Sequence, residues 1–276
     1  RPAKPSVKDI TECLLQIIRE IFRRSKEYAA NIKGVGVGIA GLVNKEDGSI
    51  HWPQKMDHYY TYASVDIPLK NLIEREFNVP PLIENDATSA CFGEYWLGIE
   101  TGIKNMVYMF SGVGCGLLIN GSIYRGAQGY AGEVAIYNFK EQDGFTCQPG
   151  NPCFLKRWEV DLGIVDDVKA RLAKDKDAAA RFFKLTSSTQ DNVDLKSVLI
   201  AARTGEPHVA AALATAAKRL GIKIAFLVNL LNPEMVVLGG GLEEAGEAFL
   251  STVTDTIKEW SFREETEDLK VVYSQL

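Results

Sequence analysis

The chain has 276 residues, with 31 basic and 36 acidic side chains and a formal net charge of −5. Hydrophobic residues at 46 % and charged residues at 24 % are the balance of a folded globular chain and exclude a disordered or low-complexity scaffold. The acidic excess excludes a bare nucleic-acid-binding module, whose affinity comes from basic groups neutralising phosphates.

The length exceeds the common domain of ~100–150 residues, so one large domain or two lobes is expected. No apolar run reaches the ~18 residues of a membrane span, and the opening RPAKPSVKDI has no apolar signal-peptide core. Cys13, Cys91, Cys115, Cys147 and Cys153 are odd in number and scattered. That pattern fits reduced thiols and a cytoplasmic location.

Ser6 and Asp9 form a capping box at a helix start. Ile10, Cys13, Leu14, Ile17, Ile18, Ile21 and Phe22 then give one apolar helical face, stopped at Asn31. The β-branched run Ile32–Ile39, interrupted by Gly34, Gly36 and Gly38 and closed by Gly41, predicts a strand with a close neighbour. Gly48 turns the chain, Ile50–Pro53 is extended, and 66–77 reads as a short helix. Pro81-Leu82-Ile83 is a strand ending at Glu84-Asn85-Asp86, and the next helix places Ala87, Ala90, Cys91 and Tyr95 on one side. Met106–Phe110 and Leu117–Ile119 are strands, and Asn120-Gly121 is a hairpin turn. Gly126–Cys153 reads as loop, and helices fill 155–231 with a break near 187–191. A strand at Met235–Leu238 opens into Gly239-Gly240-Gly241, followed by a helix over 242–260. The succession describes an α/β fold.

Glycine clusters at 34–41, 112–116 and 239–241 each follow or end a predicted strand, where backbone N–H groups can approach an anion or a sugar ring. None is a Walker A loop or a dinucleotide fingerprint. Asp86 has two readings: a helix cap, or a general base taking a proton from a hydroxyl. Glu133, in Gly129-Tyr-Ala-Gly-Glu133, is either a solvated loop acid or a bidentate acceptor for a vicinal diol. Cys147 and Cys153 lack a third and fourth ligand, with His51, His58 and His208 remote in sequence. Free thiols are therefore expected there, and no metal site.

Six ordered motifs resemble the ROK family (repressor, open reading frame, kinase): Gly34–Val43, Glu84–Ala87, Ser111–Gly116, Asn120–Gly126, Ala131–Glu133 and Asn232–Gly241. The resemblance implies a two-lobed actin-like ATPase (RNase H-like) fold, here without its first strands and last helix. Residues 1–86 would be the rest of the N-terminal lobe, and 87–276 a larger C-terminal lobe with a glycine-rich hairpin and a helical region. It implies that Gly41, Asn85, Asp86 and Glu133 meet a sugar, with Asp86 beside the hydroxyl that a kinase phosphorylates. Ser111 and Gly112 would approach ATP phosphates, and Gly239, Gly240 and Gly241 the adenosine.

Departures from the family pattern shape the expected function. Ala135-Ile136 stands where the family has Gly-His, Leu155 where it has a sugar-binding glutamate, and only Cys147 and Cys153 remain of its zinc loop. Phe110 and Cys115 replace phosphate-loop glycines. These point to the carbohydrate-sensing domain of a ROK-type transcriptional regulator, a homodimer reaching DNA only through a segment upstream of Arg1. No cofactor is then required and zinc is not expected. The alternative is an ATP- and Mg-dependent sugar kinase with Asp86 as base.

Overall fold

A computed structural model describes residues 7–54, 63–98, 102–110, 114–134 and 163–276. Helix α1 (Val7–Arg24) opens the chain, and a 3-10 turn (Lys26–Asn31) separates it from strand β1 (Val35–Ile39). The helix thus ends seven residues before Asn31, and Ser6 lies outside the described residues. Its buried stripe is also rotated from the expected one. Leu15 and Ile18 are buried with Leu14 and Phe22 against them, while Cys13, Ile17 and Ile21 face solvent.

Strands β2 (Leu42–Val43), β3 (Ile50–Gln54) and β4 (Ala63–Ile67) form an antiparallel meander. Asp66 and Ile67, expected in a helix, belong to β4 because they pair with His51 and Ile50. Helix α2 (Leu69–Phe77) leads to β5 (Pro81–Asn85), which pairs in parallel with β1, so that Ile39 and Asn85 lie level at their carboxyl ends. Leu15, Ile18, Val37, Ile50, Ile73 and Ile83 share one apolar core.

Helix α3 (Asp86–Leu97) follows β5 without a loop and lies on a five-stranded sheet, separate from the β1–β5 pair and the meander. That sheet contains β6 (Met106–Phe110), β7 (Gly114–Ile119), β8 (Ser122–Ile123), β9 (Met235–Gly239) and β10 (Lys270–Tyr273), in the order β10-β9-β6-β7-β8. β10, β9 and β6 run parallel, while β7 and β8 are antiparallel. The β7–β8 turn carries Asn120 at φ 52° and Gly121 at φ 74°, the left-handed pair an Asn-Gly hairpin requires. One sheet face packs Tyr108, Leu118, Met235 and Val237 around Cys91 of α3. Close approach of α3 to β7 depends on Gly116, where a Cβ would lie 2.2 Å from that of Cys91 and 2.4 Å from the Ala87 carbonyl oxygen.

The other face is covered by α4 (Ile164–Leu172), α5 (Lys176–Thr186), α6 (Leu195–Ala202), α7 (Pro207–Leu231) and α8 (Glu247–Trp260). Phe182, Leu220, Ile224 and Val253 are its fully buried anchors. The expected helix over 242–260 is split at Gly246 into a 3-10 turn and α8, and a short α9 (Arg263–Thr266) precedes β10. β10 itself was not foreseen. Among the described residues, no helix is long and apolar enough to cross a membrane.

Candidate functional site

The junction of β5 and α3 links the β1–β5 pair to the five-stranded sheet, and the carboxyl ends of β1 and β5 lie level there, the usual ligand position in α/β folds. Asn85 is the helix cap: its Oδ1 accepts from the Thr88 N–H at 3.1 Å. This corrects the capping reading of Asp86, which occupies the first helical position with Oδ1 accepting from the Ala87 N–H at 2.8 Å. Asn85 Nδ2 donates to the Gly41 carbonyl at 3.2 Å and so ties the segment after β1 to the end of β5. One N–H and one lone pair of the Asn85 amide remain for other partners.

Glu133 reaches this junction from the loop after β8. At the preceding residue, Gly132, φ is 98° and a Cβ would lie 1.8 Å from the Cys115 carbonyl oxygen, so only glycine fits. The Gly132 carbonyl accepts from the Cys115 N–H at 2.8 Å, pinning the loop to β7. Burial, followed by the like charge of Asp86, pushes the Glu133 carboxyl up to about 7. Solvent still reaches the residue as a whole. Burial also raises the Asp86 carboxyl, outweighing the opposing amide of Ala87. The helix N-terminus, expected to hold Asp86 ionised, is therefore the weaker influence.

Gly41, Asn85, Asp86 and Glu133 thus gather at one place, with two carboxylates close enough to feel each other. Such a pair can accept hydrogen bonds from hydroxyls, and a carboxyl raised by desolvation is a stronger base than an exposed one.

The glycine triplet begins at the carboxyl end of β9, where Gly239 is level with Phe110 of β6 and, through it, with Gly114 of β7, whose Cβ position would lie 3.5 Å from that of Ala87. A Cβ on Gly239 would lie 2.0 Å from the Tyr108 hydroxyl oxygen. That hydroxyl is raised by burial, with a hydrogen bond to Ser274 acting the other way. The Gly241 N–H donates to the Glu243 carboxylate, at 3.2 Å to Oε1 and 3.0 Å to Oε2. Ser111, Gly112, Ala135, Ile136, Cys147, Cys153 and Leu155 lie outside the described residues.

Sequence reasoning missed Glu94. This residue is 2 % exposed on α3 and accepts from Ser274 Oγ and, at 3.2 Å, from the Gln275 N–H. Its Oε2 is buried without a hydrogen-bond partner. The available signal was its register: 87, 91 and 94 share one helical face. Tyr95, expected on that face, is 41 % exposed instead.

A family model described as the ROK family matches residues 3–276. The chain is similar to the xylose repressor of Caldicellulosiruptor bescii, 28 % identical over 265 residues, covering 95 % of this chain and 64 % of the repressor. It is also similar to the glucokinase of Halalkalibacterium halodurans, 30 % identical over 226 residues, 81 % of this chain and 66 % of that enzyme. Among solved structures, a ROK family glucokinase from Streptomyces griseus in complex with glucose and AMPPNP superimposes with a TM-score of 0.78 at 25 % identity, covering 99 % of this chain and 85 % of that one. A ROK family transcriptional regulator, a homolog of the E. coli MLC protein, gives a TM-score of 0.73 at 25 % identity over 98 % of this chain and 65 % of the regulator. The chain spans about two thirds of the curated relatives it matches. Its architecture is the two-lobed actin-like ATPase fold of those structures.

Proposed function

The chain belongs to the ROK family, and on that premise we propose that it is the sugar-sensing part of a ROK-type transcriptional regulator. The observation that carries this reading is the convergence of Asp86 and Glu133 beside the Asn85 cap. Residues 1–86 form the remainder of one lobe, and 87–276, beginning with the helix that lies on the five-stranded sheet, form the other. A pyranose sits between them. Glu133 accepts from two adjacent ring hydroxyls, Asp86 accepts from a third, and the free Asn85 N–H donates to a ring oxygen.

Because these groups come from both lobes, the sugar binds one lobe arrangement better than another and shifts the population toward it. A DNA-binding segment upstream of Arg1 reads out that shift in a homodimer. The acidic balance of the chain, net −5, fits a division of labour in which DNA contact lies outside these residues.

Kinases of the family use ATP, and the resemblance gives Gly239–Gly241 the adenosine side of that site, while its phosphate side, Ser111 and Gly112, lies outside the described residues. The Gly241 N–H is taken by a carboxylate, and the space at Gly239 is filled by the Tyr108 hydroxyl. An adenosine there would find the Gly241 N–H already donating to Glu243. No step through ATP follows from the described residues.

The second reading, a sugar kinase, is favoured by one observation: burial raises the Asp86 carboxyl, as a general base requires. Incubation with ATP, Mg²⁺ and D-glucose or D-xylose separates the two. We expect no sugar phosphate; turnover on the order of 1–100 s⁻¹, lost in Asp86→Asn, establishes the kinase instead.

A further inference from the structure

The loop that carries Glu133 touches the first lobe before it reaches the site. Arg125, just after β8, donates from Nε to Glu84 Oε2 on β5 at 2.6 Å. The other Glu84 oxygen, Oε1, accepts from the Asn85 backbone N–H at 3.0 Å. Further along, a Cβ on Gly129 would lie 2.8 Å from the Val43 carbonyl oxygen of β2. Tyr130 then meets His51 of β3 edge-on, with ring centroids 5.8 Å apart. Only after these contacts does the chain turn back onto β7 at Gly132 and present Glu133.

We infer that the Arg125–Glu84 ion pair is an interlobe clasp that sets Glu133 opposite Asp86, making Arg125 a positioning residue for sugar binding. The inference rests on the sugar-site reading above. The Arg125 side chain is 41 % exposed and that of Glu84 19 %, so the pair contributes little to global stability, about 0–1 kcal/mol. Its consequence is local. Glu84 is bonded at once to the loop that brings one acceptor and to the backbone of the residue that caps the other acceptor's helix. The guanidinium also balances a third carboxylate one residue from Asn85. Losing it leaves the loop held at the first lobe by contacts such as those of Gly129 and Tyr130, and displacement of an acceptor by even about 1 Å is costly to recognition.

Titration calorimetry with D-xylose and D-glucose tests this on the wild type, Arg125→Gln, Glu84→Gln and the double variant. Gln at 84 retains an oxygen for the Asn85 N–H while discarding the ion pair. Each single substitution is expected to weaken the bound sugar by roughly five- to fiftyfold. The double variant should be no weaker than the poorer single, because both remove one interaction. Additive losses, or singles within about twofold of wild type, overturn the clasp.

A second measurement needs no variant. The probes are uncharged, so raising NaCl from about 0.05 to 0.5 M should weaken wild-type binding by screening the pair. Salt-independent binding overturns the clasp even if a variant fails to fold. A wild type that binds neither sugar sinks the sugar reading itself and the inference with it.

Discussion

Two glycine-rich turns lie at strand ends of this molecule and end in opposite conditions. At Gly129–Glu133 the glycines bring backbone against β2 and β7, and the acid that follows carries a raised carboxyl beside Asp86 although the residue as a whole is exposed. At Gly239–Gly241 the space the glycines create is filled by the chain's own groups, the Tyr108 hydroxyl and the Glu243 carboxylate. A glycine cluster opens room near backbone amides; the side chains that border it decide whether a ligand can use that room. The first turn reads as a binding site, the second as a closed joint.

The largest expected effect breaks the open turn. On the sugar-sensing reading, Glu133→Ala removes an ionic acceptor of two hydroxyl hydrogens, each worth about 1.5–3 kcal/mol when the acceptor is charged. Sugar affinity should fall at least about a hundredfold, roughly 3 kcal/mol, by calorimetry. A loss under about threefold would mean that no diol is held there.

The next effect is on pH. The Glu133 carboxyl is pushed up to about 7 in the free protein, and on the sugar-sensing reading its ionised form is the one that holds the two hydroxyls. Affinity should therefore rise with pH through 7 and level off above it. At pH 5.5 it should be roughly thirtyfold weaker than at pH 8. Asp86, also raised, acts in the same direction.

The unliganded protein should show the opposite trend. A carboxyl raised in the folded state contributes stability fully present below its unfolded value, 4.5, and lost as pH rises through about 7. Melting temperature should accordingly drift down over that interval, and Glu133→Gln should flatten both profiles. An unchanged affinity profile in Glu133→Gln would assign the titration to another group.

The open turn was far more legible in the sequence than the closed one. Asp86 and Glu133 sit in short local motifs, and Asn120-Gly121 names its own turn because only left-handed residues close that hairpin. What escaped depends on residues far apart in the chain. β10 is four residues whose strand identity comes from parallel pairing with β9, a partner no local pattern reveals. Asp66 and Ile67 were drawn into the helical periodicity of 69–77 until their pairing with β3 decided otherwise. In α1 the apolar positions are dense enough to define two overlapping stripes, and packing against β1 and β5 chose the one through Leu15 and Ile18. The closure of the triplet needs Tyr108 from β6 and Ser274 beyond β10, which no reading of Gly239–Gly241 alone contains.

The smallest effect sharpens the comparison from the closed side. Glu243→Ala frees the Gly241 N–H, removing an exposed carboxylate–amide contact. The cost should stay within about 1 kcal/mol, a shift of roughly 2–4 °C for a chain of this size. Sugar affinity should remain within about twofold of wild type, since the triplet lies at the end of β9 and contributes no acceptor to the Asp86–Glu133 pair. AMPPNP should still fail to stabilise the variant, because Tyr108 continues to fill the space at Gly239. If Glu243→Ala instead weakens sugar binding as strongly as Glu133→Ala, the two turns are parts of one site and their contrast disappears. If it confers AMPPNP binding, the Glu243 carboxylate and not Tyr108 was what kept the nucleotide from the triplet, and the kinase reading gains over the regulator one.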